Sequence, residues 1–332
     1  MRQMTFDADL LAQAFEKKAR DRSRRELLLE ERRKKVFRQI PELAENDRLM
    51  RKTAAEAVLT ALKSGTDPKA AAEALRDENL ELQAREVDLL ASYGYRPDYL
   101  QNSPECQVCS DSGLDGTSVC SCVRKIYAKL QTRQLDKKLD FSVRNFEKFD
   151  LSLYSPVEDR KRGISPRENM KNNLEICKEY ALGFGSRSSN LAFFGDTGLG
   201  KTFLSACIAK VVSESGFFVI YGSAGEIFSD YESEKFSRDK DSTASASRYT
   251  QCSLLILDDL GTEMTTQFTV SALYNLLNSR LMGGKKTIIT SNLNIKDLRT
   301  RYTPQIMSRL EGEFRNLAFF GDDIRMKRKE RM

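Results

Sequence analysis

The run Gly195-Asp196-Thr197-Gly198-Leu199-Gly200-Lys201-Thr202 has the spacing G-x-x-x-x-G-K-[ST]. An apolar stretch, Leu191 to Phe194, precedes it, and a helical stretch, Phe203 to Val212, follows. That context matches a phosphate-binding loop between a strand and a helix. Glycines let the backbone wrap a phosphate with its N–H groups, and the helix N-terminus adds positive potential. Lys201 would reach the β- and γ-phosphates of ATP, and Thr202 would ligate Mg²⁺. A second apolar run, Leu254-Leu255-Ile256-Leu257, ends in Asp258-Asp259. A buried strand ending in acid sets a carboxylate beside that metal. Asp258 would hold it, directly or through water, and Asp259 would orient the attacking water. Thr290-Ser291-Asn292 ends a third apolar run. A polar side chain there either meets the γ-phosphate or lytic water, or caps the helix expected near Ile295.

Cys106-x-x-Cys109 is followed by Cys120-x-Cys122. Two close thiol pairs around a Gly-containing loop can surround one tetrahedral Zn²⁺, although the second pair is C-x-C rather than C-x-x-C. The segment has little apolar content, so a metal would supply the order that a core cannot. A redox pair, an iron–sulfur cluster or four unliganded thiols are the alternatives. Four protein ligands leave no open position, so the site reads as structural. Cys177, Cys207 and Cys252 sit among apolar residues and read as buried thiols. Seven cysteines with no apolar leader argue against a disulfide framework.

The elements that must position these groups fall into two patterns. Up to about residue 100 the periodicity is helical: Leu10, Leu11, Ala14 and Phe15 share a face, as do Val36, Phe37 and Ile40. Pro41 breaks the pattern, and helical stretches resume over 54–62 and 70–90. From about residue 150, apolar runs alternate with helices, which implies a parallel sheet covered by helices. Strands are expected at 191–194, 217–221, 254–257, 287–290 and 317–320. Ser165-Pro166-Arg167-Glu168 reads as a capping box with Pro at the first helical position. The Ser-, Asp- and Lys-rich stretch 237–247 reads as a mobile loop. The expected fold is α/β: a P-loop ATPase domain with a five-stranded parallel sheet (161–332), preceded by a helical region (1–100), a four-cysteine zinc module (101–125) and a linker (126–160).

The 332 residues are 40% hydrophobic and 31% charged, with a formal net charge of +6. No run of about 18 apolar residues exists, which argues against a membrane span. The polar start, Met1 to Asp9, argues against secretion and for a cytoplasmic location. A mildly basic chain is compatible with a nucleic-acid partner but does not require one.

These residues resemble the DnaC/DnaI-like helicase-loader ATPases of the AAA+ superfamily, and the DnaI-like branch with an N-terminal zinc module most. The resemblance rests on Phe193 to Thr202, on Ile256-Leu257-Asp258-Asp259-Leu260-Gly261-Thr262-Glu263, on Ser308-Arg309-Leu310, on Phe319 to Arg325 and on the cysteine spacing. It implies roles that pattern alone does not give. Asn292 falls at the sensor-1 position, Arg309 at that of an arginine finger reaching a neighbour's ATP, and Arg325 at sensor 2. Asn145 to Phe149 resembles the entry to the ATPase domain near the adenine. Asp259 departs from the Glu that many AAA+ proteins carry. The implied function is ATP-dependent loading of the replicative hexameric helicase onto single-stranded DNA during replication initiation or restart, by a chain that self-associates in the complex. ATP would act as a conformational switch, with slow hydrolysis. The alternatives are a transposition accessory ATPase (IstB-like) and a helicase-binding adaptor with little turnover.

Overall fold

The structure is a computed structural model and describes residues 5–62, 68–236 and 244–330. It divides into two compact units: Phe15–Cys120, and Met1–Ala14 together with Ser121–Met332.

The first unit is built on three helices: α1 (Ala8–Gln39) from Phe15 onward, α2 (Pro41–Leu62) and α3 (Pro68–Ser92). Neither Gly nor Pro interrupts 8–39, so α1 runs unbroken through the charged stretch that separates its two apolar patches. Glu–Arg neighbours four apart line its exposed side, such as Arg22 to Glu26 at 2.9 Å. Pro41 has no N–H to give the ladder and starts α2 as its first residue. Val36, Ile40, Leu43, Leu90 and Leu100 form the core of this unit. Burying an aliphatic side chain of this size contributes about 2 kcal/mol before chain entropy is subtracted. The short strands β1 (Leu114–Asp115) and β2 (Ser118–Val119) pair as a hairpin within the cysteine-rich segment.

The second unit continues through α4 (Ser121–Leu139) and α5 (Pro166–Leu182) into alternating strands and helices. These are β3 (Asn190–Phe194), α6 (Lys201–Glu214), β4 (Val219–Ser223), α7 (Ala224–Phe236), α8 (Ala244–Gln251) and β5 (Leu254–Asp258). Then follow α9 (Gln267–Met282), β6 (Lys286–Ser291), α10 (Ile295–Arg301), α11 (Pro304–Gly312), β7 (Phe314–Ala318) and α12 (Ile324–Glu330). The five long strands form one parallel sheet in the order β4-β5-β6-β3-β7. All five residues of β5 are buried, as expected of a strand covered on both faces. Asn190 fixes the entry to the sheet: its amide donates to Glu313 O before β7 and accepts from Thr287 N–H on β6.

The expected strands agree to within two residues except the last. The pair Phe319-Phe320 drew that strand toward the C-terminus, but the ladder ends at Ala318. There Asn169 and Asn173 of α5 both donate to the Ala318 carbonyl at 2.8 Å. The capping box holds: Ser165 accepts from Glu168 N–H, with Pro166 at the helix start. Of the expected loop at 237–247, residues 237–243 lie outside the described residues, and 244–247 belong to α8.

The beginning of the chain belongs to this second unit. The Asp7 N–H donates to the Tyr127 hydroxyl at 3.0 Å, and the Phe6 ring meets Tyr127 edge-on at 5.1 Å. Tyr127 donates to Gln131, a buried amide that also bonds Phe217 O and Val219 N–H at the start of β4.

Candidate nucleotide site and cysteine cluster

Parallel strands put the C-terminal ends of β3, β5 and β6 side by side, where ligands bind in open α/β sheets. Gly195–Thr202, Asp258 with Asp259, and Asn292 therefore meet at one edge, as expected from the sequence. A cavity of about 500 Å³ opens there, lined by Thr197–Phe203, Phe149, Tyr154, Asp259, Asn292, Ile324 and Arg325 among others.

The loop is shaped for close approach. Gly195 has φ +152°, and a Cβ there would lie 2.0 Å from the Phe319 carbonyl oxygen. Gly198 has φ +77°, and its Cβ would strike the Asp323 carboxylate. Gly195→Ala is therefore expected to misfold the loop, because the obstacle is backbone and cannot swing away. A thermal melt with and without ATP checks this: the variant loses nucleotide-dependent stabilisation.

Lys201 is 4% exposed at the first turn of α6. Its ammonium donates to Gly195 O and Asp196 O at 2.6 and 2.7 Å and to Asn292 Oδ1 at 2.6 Å. All three acceptors are neutral, so the charge remains available to an anion. Burial pushes the ammonium pKa down, and Asp259, Asp258 and Asp196 oppose that shift without cancelling it.

Asp258 accepts from three hydroxyls: Thr202 at 3.2 Å, Tyr221 at 2.5 Å and Thr290 at 2.6 Å. Two cis ligands of an octahedral Mg²⁺ lie about 3 Å apart, so Thr202 and Asp258 are spaced to share one ion. Asp259 follows with φ +56°, its N–H bonded to the Thr290 hydroxyl and its carboxylate to Asn292 Nδ2 at 3.2 Å. Asp tolerates that left-handed backbone better than a longer side chain. Burial, then the neighbouring Asp258, raises the Asp259 pKa above its ordinary value. Asn292 thus touches both Lys201 and Asp259.

On the cavity's other side, Phe149 stacks with Tyr154 (5.8 Å, 20°) and meets Phe203 edge-on. The segment expected near the adenine therefore supplies apolar ring surface. Arg325 lines the cavity from α12, but Arg309 does not. The Arg309 guanidinium lies over the Tyr274 ring at 4.5 Å and donates to Tyr274 Oη and Asn278 Oδ1 on α9. Sequence reasoning missed Tyr221, Tyr154 and Asp323. Tyr221 occupies an expected strand, but nothing local marks its hydroxyl for Asp258, and Tyr154 reaches Leu199 O across 45 residues.

The sequence profile described as IstB-like ATP binding protein matches residues 168–331. Those residues form an IstB-like ATP-binding domain. With the fold and site above, they form a P-loop ATPase domain. Among known proteins, the chain is 25% identical over 214 residues to the phage-like element PBSX protein XkdC of Bacillus subtilis, covering 58% of this chain and 74% of that one. It is 24% identical over 178 residues to the chromosomal replication initiator protein DnaA of Acholeplasma laidlawii. That match covers 48% of this chain and spans only 40% of the DnaA length. Among solved structures, it is similar to the DnaC helicase loader (20% identity, 53% of this chain and 98% of that one, TM-score 0.43). Among the described residues, no helix is long and apolar enough to cross a membrane.

Ahead of the IstB-like domain, the four expected sulfurs of Cys106, Cys109, Cys120 and Cys122 come together within 4.8 Å of one another. Cys106 and Cys120 sulfurs are 3.7 Å apart. A tetrahedral Zn²⁺ with bonds of about 2.3 Å spaces its sulfurs by about 3.8 Å, so the donor set fits that metal. Left-handed residues Ser110, Asp111 and Gly113 fold the loop back, and the Gly113 N–H donates to Cys109 Sγ at 3.4 Å. Cys106 is held down to about 7, first by the Cys109 backbone N–H. Elemental analysis of purified protein should find about one zinc per chain. A folded 103–122 segment without metal would refute the four-cysteine site.

Proposed function

We propose that this protein is an ATP-dependent loader of the replicative DNA helicase onto single-stranded DNA. The observation that carries the reading is the joining of an IstB-like ATPase domain, in one chain, to a helical unit and a four-cysteine cluster. The division expected from the sequence (1–100, 101–125, 126–160, 161–332) is kept here as a division of labour. The helical and cysteine-rich parts grip the helicase, and the ATPase domain changes state with nucleotide to open or hold the helicase ring. Lys201 and the loop N–H groups bind the phosphates. Thr202 and Asp258 would hold Mg²⁺, which would supply charge neutralisation at the phosphates. Asp259 orients water, Asn292 positions Asp259 beside Lys201, and Arg325 meets the phosphates from α12. Arg309 serves the neighbouring subunit in a homo-oligomer, in the cytoplasm.

The test is co-purification of the full chain with the replicative helicase of the same source, with and without ATP. A stable complex is expected. Its absence in both conditions would move the assignment to a transposition accessory ATPase of the IstB-like kind. XkdC is named for a phage-like element, so helicases of such elements belong in the same experiment.

Burial and the neighbouring Asp258 raise the Asp259 pKa above the ordinary aspartate value of 3.8 in the nucleotide-free protein. The native state then binds its proton more tightly than the unfolded chain, so ionised Asp259 costs stability as pH rises through that pKa. Asp259→Asn should therefore raise the melting temperature at neutral pH while slowing hydrolysis at least tenfold. A variant with unchanged turnover would favour a helicase-binding adaptor with little use for hydrolysis.

A further inference from the structure

Asp111 lies in the loop between the two cysteine pairs, with its side chain 5% exposed. Its carboxylate accepts four bonds. One oxygen takes the Cys106 N–H at 3.0 Å and the Lys18 ammonium at 2.8 Å. The other takes the Glu105 N–H at 3.0 Å and the Arg25 guanidinium. Lys18 and Arg25 also both reach Glu105, at 3.2 and 2.8 Å. Lys18 is as buried as Asp111, and both cations stand on one face of α1, two turns apart. Every one of these groups belongs to the unit Phe15–Cys120.

A buried ion pair often stabilises a fold no better than well-packed apolar side chains, but removing one partner leaves the other charge buried and uncompensated. Here one carboxylate fixes the backbone N–H of the first cysteine and the position of a helix brought from about ninety residues earlier. We propose that Asp111 is a positioning residue that couples the four-cysteine metal centre to α1. Lys18 and Arg25 lock it, so metal occupancy and the docking of α1 stabilise each other. This rests on the zinc reading of the cluster.

The test uses the full-length protein with its native metal. Zinc affinity is measured by competition with a chromophoric chelator in wild type, Asp111→Asn, Lys18→Met and Lys18→Arg. Asp111→Asn and Lys18→Met should bind zinc about 10- to 100-fold more weakly, the range seen when a group behind a ligand is lost, while Lys18→Arg should keep most of the affinity. Hydrogen exchange of the wild type needs no variant: stripping zinc should speed exchange across Lys18–Arg25. Unchanged zinc affinity in Asp111→Asn, or exchange in α1 indifferent to zinc, overturns the coupling. A wild type that holds no zinc fails differently, because it removes the metal reading itself and the coupling with it.

Discussion

Replacing Lys201 with Ala should weaken ATP binding at least 100-fold. A charge-assisted bond to phosphate is worth about 1.5–3 kcal/mol, and two such phosphates make 3 kcal/mol a modest estimate. The usual objection to a buried substitution is that it unfolds the protein. Here the sign runs the other way. Burial lowers the Lys201 pKa, so the native state binds its proton less tightly than the unfolded chain does. The ammonium therefore costs stability at neutral pH, and that cost shrinks as pH rises toward the Lys201 pKa. Ala should leave the nucleotide-free melting temperature unchanged or higher, while ATP no longer shifts it. Titration with a fluorescent ATP analogue, beside a melt, separates the two effects. Retained tight affinity would sink the phosphate-loop assignment.

Replacing Arg309 with Ala should cut hydrolysis in the assembled complex about 1,000-fold, the low end for loss of an arginine finger, with ATP affinity changed only a few-fold. Within its own chain Arg309 touches Tyr274, Asn278 and the Gln305 carbonyl, all neutral, and lies outside the phosphate cavity. Its charge is thus held ready without being used. Mixing gives the sharper test. Lys201→Ala subunits have no working ATP site but keep Arg309, whereas Arg309→Ala subunits have the reverse. If the arginine acts on a neighbour, the inactive variants recover hydrolysis when mixed. A mixture as inactive as its parts, or unchanged turnover by Arg309→Ala, would end the trans-acting role.

The nucleotide site was the most legible part of the chain because its chemistry is written in contiguous residues. A loop that wraps a phosphate needs glycines at fixed spacing, and a strand that delivers a metal ligand is apolar up to that ligand. Partners brought from afar left no such trace. Arg280 is fully buried, and it bonds the carbonyls of Tyr249 and Cys252 and the Thr287 hydroxyl. In the sequence it is one more basic residue at the end of a helix. The last strand was displaced for the same reason: the carbonyl that ends it is taken by two asparagines about 145 residues earlier. The long α1 was read as two patches because the sequence shows where a helix is apolar, whereas only the absence of breakers shows where it continues.

The anchoring of Phe6 and Asp7 on Tyr127 has a practical consequence for dissecting the protein. Trimming the first fourteen residues, as one would a dispensable tail, strips a ring and a hydrogen bond from the surface of the catalytic half. Such a deletion should lower soluble yield of the remaining polypeptide, and a purification tag is better fused at the other end.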